Sequence, residues 1–186
     1  MKIAQRALSA QPFHAMSIGA RAREIEADGT HVAKLSLGEP SFGAPPGVHD
    51  AMRATMDGRP LPYTPAAGLP ALREAVSGLY RDRHGVEVDP RRVLITAGAS
   101  AGLLLATALT TDVGDDVVMA DPCYPCNREL VQTFGGNVVL APTTPATRYQ
   151  LDRATTEAAW ADRTVAVQLA TPSNPTGTTI PFEELA

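Results

Sequence analysis

The chain has 186 residues, a formal net charge of −4 and a hydrophobic fraction of 44%, which suit one globular domain or slightly more with an ordinary core. Its basic residues are scattered and outnumbered by acidic ones, which excludes a binding surface for the phosphate backbone of nucleic acid. No apolar run reaches the length of a signal-peptide core or a membrane span, so we expect a cytoplasmic protein without a membrane partner.

The first half of the chain predicts three helices and one strand. Residues 13–26 carry apolar side chains at helical spacing, and residues 31–37 alternate as a strand that breaks at a loop rich in glycine and proline. Two further helices are predicted over residues 46–56, where Pro46 suits the first turn, and over residues 69–84. The chain is therefore expected to begin with a helical arm and to continue through long loops.

From residue 92 onward, strands and helices alternate regularly. Strands are predicted at residues 93–96, 116–120, 137–140 and 164–169, and helices at residues 99–109, 126–134 and 152–160. Alternation at this spacing predicts an α/β fold with a mostly parallel sheet and helices on both faces. In such a sheet, ligands bind beside the carboxyl ends of the strands.

Three loops follow predicted strands and are therefore expected at the same edge of the sheet. The first opens a helix, so the N–H groups of Ala99 and Ser100 can bind an anion such as a phosphate. The second holds Tyr124, whose ring can stack on a flat heterocycle. The third ends in Asn174, whose carboxamide can donate a hydrogen bond to a ring oxygen. Together these groups predict a site for a phosphorylated aromatic cofactor.

The two cysteines permit a different function. Cys123 and Cys126 stand between a strand and a helix, which is the arrangement of the dithiol in a thiol–disulfide oxidoreductase. This alternative leaves most of the chain before the motif without an explanation. A nucleotide-binding α/β module is a further alternative, although the chain has neither of the two common glycine-rich phosphate motifs. The four histidines show no metal-ligand spacing, so no metal site is predicted.

Five motifs occur in an informative order along the chain. They are LGEPSF at residues 37–42, YTPAAG at 63–68, ITAG at 95–98, DPCY at 121–124 and SNPTG at 173–177. Their order and spacing resemble the class I and II aminotransferases of pyridoxal-phosphate fold type I. The resemblance implies the large domain of that fold, here incomplete. Residues 1–35 would then be an N-terminal arm with a small-domain segment, and residues 36–186 the N-terminal half of the cofactor-binding large domain.

The resemblance implies pyridoxal 5′-phosphate as the cofactor. The backbone at Ala99 and Ser100 would hold the cofactor phosphate. Tyr124 would stack on the pyridine ring, and Asn174 would bond its phenolic oxygen. The reaction implied is the movement of an amino group between an amino acid and a 2-oxo acid, while lyases and decarboxylating enzymes of the same fold remain alternatives.

Two further residues match positions with known roles in the family. Tyr63 matches a tyrosine that reaches the phosphate bound in the neighbouring subunit, which implies a homodimer. Gly38 matches the glycine beside the substrate carboxylate. Both roles are implied by the resemblance.

The lysines of the chain are few. Lys2 and Lys34 are the two present, and neither stands in the sequence context of the family's Schiff-base lysine. The family also needs an aspartate at the pyridine nitrogen and an arginine for the substrate carboxylate, and these normally lie beyond the Asn-Pro-Thr-Gly turn. We therefore assign no catalytic residue. We expect the N-terminal part of a longer enzyme, or half of one completed by a second chain, that is inactive alone.

Overall fold

The computed structural model describes residues 2–9 and 11–185 of the chain. The chain divides into two compact units. The sheet unit comprises Met1–Ser17 and Gly98–Ala186, and the helical unit comprises Ile18–Ala97.

The chain begins with two helices, α1 (Gln5–Ser9) and α2 (His14–Ala27). The second confirms the helix predicted over residues 13–26, while the first was not predicted. Gly29 follows α2 with a φ of +88°, a left-handed conformation that glycine adopts readily at the end of a helix.

The helical unit continues with α3 (Pro46–Thr55) and α4 (Pro70–His84). Both helices begin with proline, whose fixed φ and missing N–H group suit the first turn. They confirm the two helices predicted in this region. Arg73 ties α4 to the following segment, because its Nε donates to the carbonyl oxygens of Pro90 and Val93, each at 2.9 Å.

The strands predicted at residues 31–37 and 93–96 are wrong. The structure describes all of these residues and places neither segment in a sheet. Alternating polarity predicts a strand only where a neighbouring backbone completes the hydrogen-bond ladder. The Leu35 residue is 93% exposed. Ile95 donates its N–H to the loop carbonyl of Ala67 at 3.0 Å, so this extended segment is held by a loop.

Three parallel strands form the sheet in the order β2–β1–β3. They are β1 (Asp116–Asp121), β2 (Asn137–Pro142) and β3 (Thr164–Gln168). The helices of this unit are α5 (Gly98–Thr110), α6 (Pro125–Thr133), α7 (Arg153–Ala159) and α8 (Phe182–Leu185). The predicted elements from residue 99 onward are thus confirmed to within two residues at each end. β1 is central, and β2 and β3 lie at the two edges.

The core of the sheet unit lies on both faces of β1. Two clusters of buried apolar residues form it, Val117, Met119 and Val131 on one face and Val118, Ala141 and Leu151 on the other. Val131 belongs to α6, and Ala159 of α7 packs against the second cluster. Helices therefore cover both faces, as predicted. Each fully buried valine or methionine side chain contributes about 1.5–3 kcal/mol to folding.

The predicted domains 1–35 and 36–186 begin at Met1 and end at Ala186, which lie outside the described residues, and the division after residue 35 stays a prediction. None of the helices in the described part of the chain has both the length and the apolar content that a membrane span requires.

Candidate functional site

A cleft lies where the chain leaves the carboxyl ends of β1 and β3. Because these neighbouring strands are parallel, the loops that follow them meet at one edge of the sheet. Tyr124 and Asn174 both line the cleft, together with Asn127 and Gln150. The cavity volume is about 20 Å³, which is room for a water molecule rather than for an aromatic ring.

Tyr124 begins the loop-to-helix junction after β1. It is the N-cap residue of α6, and Pro125 takes the first helical position. Its ring packs edge-on against Phe13, with the ring centroids 5.9 Å apart and the planes at 77°. A hydrogen bond with the Cys126 side chain raises the pKa of Tyr124, so its phenol is neutral at physiological pH. The site thus gains an uncharged aromatic side chain whose ring is fixed by a second ring.

The two cysteines flank this tyrosine as free thiols, and both are half-buried. Burial raises the pKa of the Cys123 thiol. A nucleophilic dithiol needs the opposite, a thiolate stabilised at a helix N-terminus. The structure therefore gives no support to the thiol–disulfide oxidoreductase alternative.

Asn174 sits in a tight loop over residues 170–178 that follows β3. The N–H of Ser173 donates to the carbonyl oxygen of Thr178, and the N–H of Gly177 donates to that of Ser173, each at 2.8 Å. Gly177 has a φ of +67°, a left-handed conformation that glycine adopts readily in a tight turn. Asn174 itself is exposed at the tip and lines the cleft. Its carboxamide is available to a bound molecule.

Asn127 is a cleft residue that the sequence did not reveal. Its Oδ1 atom is buried and has no hydrogen-bond partner among the described residues. Buried acceptors almost always accept a hydrogen bond. The Asn127 oxygen is therefore an unsatisfied acceptor beside the cleft, where a bound donor group could satisfy it. The pattern of the sequence gave no signal for it, because one asparagine inside a helix carries no periodicity.

Ala99 and Ser100 lie in the first turn of α5, where backbone N–H groups have no intrahelical acceptor. Both residues are exposed, and neither lines the cleft of Tyr124 and Asn174. The strand expected to lead into them is one of the two that are absent. The structure thus brings two of the predicted residues to one cleft and leaves these two outside it.

The remaining predicted residues belong to the helical unit. Tyr63 is fully exposed in a loop, and Gly38 lies in an exposed loop with no atom within 4 Å of the position that a Cβ would take. Among the residues that the structure describes, no group of three or more histidine, cysteine, aspartate or glutamate side chains comes together at a point.

Comparison with protein families gives one match, which covers residues 30–186 and is described as aminotransferase class I and II. Among curated proteins, a valine–pyruvate aminotransferase of Mycobacterium tuberculosis is 42% identical over 175 residues, which are 94% of this chain and 45% of that protein. A (5-formylfuran-3-yl)methyl phosphate transaminase of Methanocaldococcus jannaschii is 34% identical over 97% of this chain and 47% of its own length.

The solved structures that this chain resembles are aminotransferases as well. An aminotransferase from Mycobacterium tuberculosis superposes with a TM-score of 0.92 at 41% identity, over 100% of this chain and 47% of the other. The aspartate aminotransferase of Thermus thermophilus with maleate superposes with a TM-score of 0.93 at 31% identity, over 100% of this chain and 48% of the other. The chain therefore spans about half the length of the relatives that it matches.

Proposed function

Because the chain belongs to the class I and II aminotransferases, we propose that it is the N-terminal part of an enzyme that moves an amino group between an amino acid and a 2-oxo acid. Enzymes of this family depend on pyridoxal 5′-phosphate. The observation that carries the proposal for this chain is the meeting of Tyr124 and Asn174 at one cleft.

The residues of the cleft fit the cofactor chemically. Tyr124 offers a neutral aromatic ring for stacking, and Asn174 offers an uncharged donor for the phenolic oxygen. We further propose that the N–H groups of Ala99 and Ser100 hold the phosphate, because the first turn of a thirteen-residue helix favours an anion. When bound, the cofactor supplies the electron sink for chemistry at the amino acid α-carbon.

We propose that the chain alone is inactive. Lys34 forms an ion pair with Glu26 at 2.5 Å and lies in the helical unit, while Lys2 lies near the start of the chain. No lysine therefore lies in the sheet unit after residue 97, where the cleft is. Catalysis would need a positioned amine to carry the α-proton, and general acid–base catalysis of such a transfer is worth about 10²–10⁴-fold.

We propose a homodimer in which the exposed Tyr63 reaches the cofactor phosphate of the neighbouring subunit, with Gly38 beside the substrate carboxylate. We also propose that further polypeptide, in the same chain or in a second one, supplies the missing amine. The free thiols of Cys123 and Cys126 agree with a cytoplasmic location, where cysteines stay reduced.

The test begins with binding. Pyridoxal 5′-phosphate is titrated into the pure chain and followed by its absorbance, for the wild type and for the variants Tyr124→Leu and Asn174→Ala. We expect each variant to weaken binding about three- to tenfold, the worth of one aromatic contact or hydrogen bond. Tyr80→Leu, in α4 of the helical unit, is the matched control and should leave the affinity unchanged. Equal affinity in all four proteins would refute the assignment of the cleft.

Activity is tested on the same material. Amino-group transfer is assayed with valine and pyruvate and with aspartate and 2-oxoglutarate, the chain is then reduced with borohydride, and modified residues are mapped by mass spectrometry. We expect neither turnover nor a modified lysine. Stoichiometric labelling of Lys34 together with turnover would show that the chain carries its own catalytic lysine.

A further inference from the structure

Gln150 is a buried polar residue that the proposed function does not use. It is 3% exposed and lines the cleft. Its Nε2 donates to the carbonyl oxygen of Thr178 at 2.7 Å, to the Oγ1 of the same residue at 3.2 Å and to the carbonyl oxygen of Ala170 at 3.3 Å. One amide group thus joins the first and the last residue of the loop that carries Asn174.

The backbone before Gln150 is shaped to place it there. Arg148 and Tyr149 have φ angles of +56° and +54°, and neither is a glycine. The left-handed region is unfavourable for side chains of this size, so two successive residues in it need an outside restraint. Backbone hydrogen bonds supply it, from the N–H of Arg148 to the carbonyl oxygen of Pro145 at 3.1 Å and from the N–H of Tyr149 to that of Thr144 at 2.9 Å. After this turn, Gln150 and Leu151 both point inward and are buried.

The amide matters because of the groups it satisfies. The two carbonyl oxygens lie on opposite sides of the Asn174 turn, and Thr178 uses its backbone carbonyl for Ser173 as well. An apolar side chain in place of Gln150 would remove all three of these part-buried hydrogen bonds, so the Thr178 carbonyl would keep the N–H of Ser173 but the link between Thr178 and Ala170 would be lost. Without that link the two ends of the loop are free to separate, which would move Asn174 away from its present place.

We propose that Gln150 is a positioning residue that clamps both ends of the 170–178 loop and so presents Asn174 to the cofactor. The inference rests on the proposed function for the identity of the ligand. The clamp itself is inferred from the hydrogen bonds of Gln150 to Ala170 and Thr178, whatever the ligand is. Gln150 does not touch the ligand in this proposal but acts through the loop.

The experiment compares Gln150→Met, which keeps the length of the side chain and removes the donor, with the wild-type chain. The control is Thr164→Val, which removes another buried side-chain hydrogen bond, from the N–H of Ala161 to Thr164 Oγ1 at 2.9 Å, at the opposite end of β3. Thr178→Val is a milder second variant, which removes the hydroxyl acceptor of the clamp together with the bond of that hydroxyl to Thr176, and Thr176→Val, which removes the latter bond alone, is its control.

The first readout needs no cofactor. Amide hydrogen exchange at Ser173 and Gly177 should become about tenfold faster or more in Gln150→Met, less so in Thr178→Val and not at all in Thr164→Val. Unchanged exchange at these two amides would overturn the proposal whether or not the chain binds pyridoxal 5′-phosphate. If Gln150→Met does not fold, the result from Thr178→Val decides.

The second readout separates positioning from general stability. Gln150→Met should weaken the affinity for pyridoxal 5′-phosphate about three- to tenfold in the wild-type background, and should have no further effect when Asn174 is already alanine. Additive losses in the double variant would overturn the route through Asn174. A wild-type chain that does not bind the cofactor would instead refute the proposed function, with the exchange result still deciding on the clamp.

Discussion

The two units of this molecule hold themselves together in different ways. In the sheet unit, buried apolar residues from one strand pack against helices on both faces. In the helical unit, Ala22 is the buried apolar residue among those described, whereas Leu61 and Met56 are 93% and 82% exposed. Side-chain hydrogen bonds, such as those of Arg73 to the carbonyl oxygens of Pro90 and Val93, join segments of the chain there. Helical periodicity thus suffices for helices, but a core forms where parallel strands bring distant segments together.

The largest expected difference between the units is in the free energy of unfolding when the same substitution, methionine to alanine, is made in each. Met119→Ala, at a residue that is 1% exposed, should cost about 2–5 kcal/mol in the free energy of unfolding because it leaves a cavity. Met56→Ala, at an 82% exposed residue of the helical unit, should change it by no more than about 0.5 kcal/mol. Urea unfolding followed by circular dichroism measures both, and similar losses would mean that the two units do not differ as described.

A glycine-to-alanine substitution should destabilise the sheet unit at one position and stabilise the helical unit at another. A Cβ on Gly136 would lie 2.6 Å from Thr111 Cγ2 and 2.9 Å from Val131 Cγ1, so Gly136→Ala should destabilise the chain by about 1–3 kcal/mol. Gly78 lies inside α4, and a Cβ there would make only an ordinary contact with Arg81. Gly78→Ala should therefore stabilise by about 0.5–1 kcal/mol. Thermal unfolding of the two variants tests the difference, and a stabilising Gly136→Ala would contradict it.

The helix caps sharpen the comparison further. Asp152 caps α7 by accepting from the N–H and the hydroxyl of Thr155, each at 2.7 Å, whereas Leu69, the N-cap residue of α4, makes no such bond. Asp152→Ala should lower the free energy of unfolding by about 1 kcal/mol. Leu69→Ala removes no capping bond and should not lower it by that mechanism. These measurements use denaturant unfolding at pH 7.

The cap of α7 also predicts a pH dependence. The backbone hydrogen bond from Thr155 lowers the pKa of Asp152 in the folded chain. Stabilisation by this carboxylate is therefore fully present above its unfolded pKa and is lost as the pH falls through the lowered folded value. The difference between the wild type and Asp152→Ala should shrink as the pH is taken from 7 towards 3. A constant difference would show that the carboxylate charge has no part in the cap.

The smallest effects separate hydrogen bonding from apolar burial within the sheet unit. Thr143 is buried and its hydroxyl donates to the carbonyl oxygen of Asp121 at 2.7 Å, so Thr143→Val should cost about 0.5–1.5 kcal/mol. The buried hydroxyl of Thr111 has no partner among the described residues, so Thr111→Val should be neutral or slightly stabilising. A loss in Thr111→Val as large as that in Thr143→Val would reveal a bond that the structure does not show.

The sequence predicted the sheet unit well because its signals are local. The regular alternation of strand and helix patterns marked the elements from residue 99 onward, and Tyr124 and Asn174 were found because each follows a predicted strand. Residues 31–37 and 93–96 were predicted wrongly, since a strand depends on a partner that local alternation does not reveal. Gln150 and Asn127 were missed for a related reason, because the burial of a polar side chain is a property of the folded chain.

The position of β3 has a practical consequence for anyone who handles the chain. It is an edge strand, and the described residues supply no further strand beyond it. Its sequence, Thr-Val-Ala-Val-Gln, contains neither proline nor lysine, the residues that commonly keep such edges from recruiting other extended backbone. Concentrated solutions should therefore lose protein to precipitation in spite of the net charge of −4. Val165→Lys, at a residue that is 45% exposed on this strand, should raise the concentration that stays in solution.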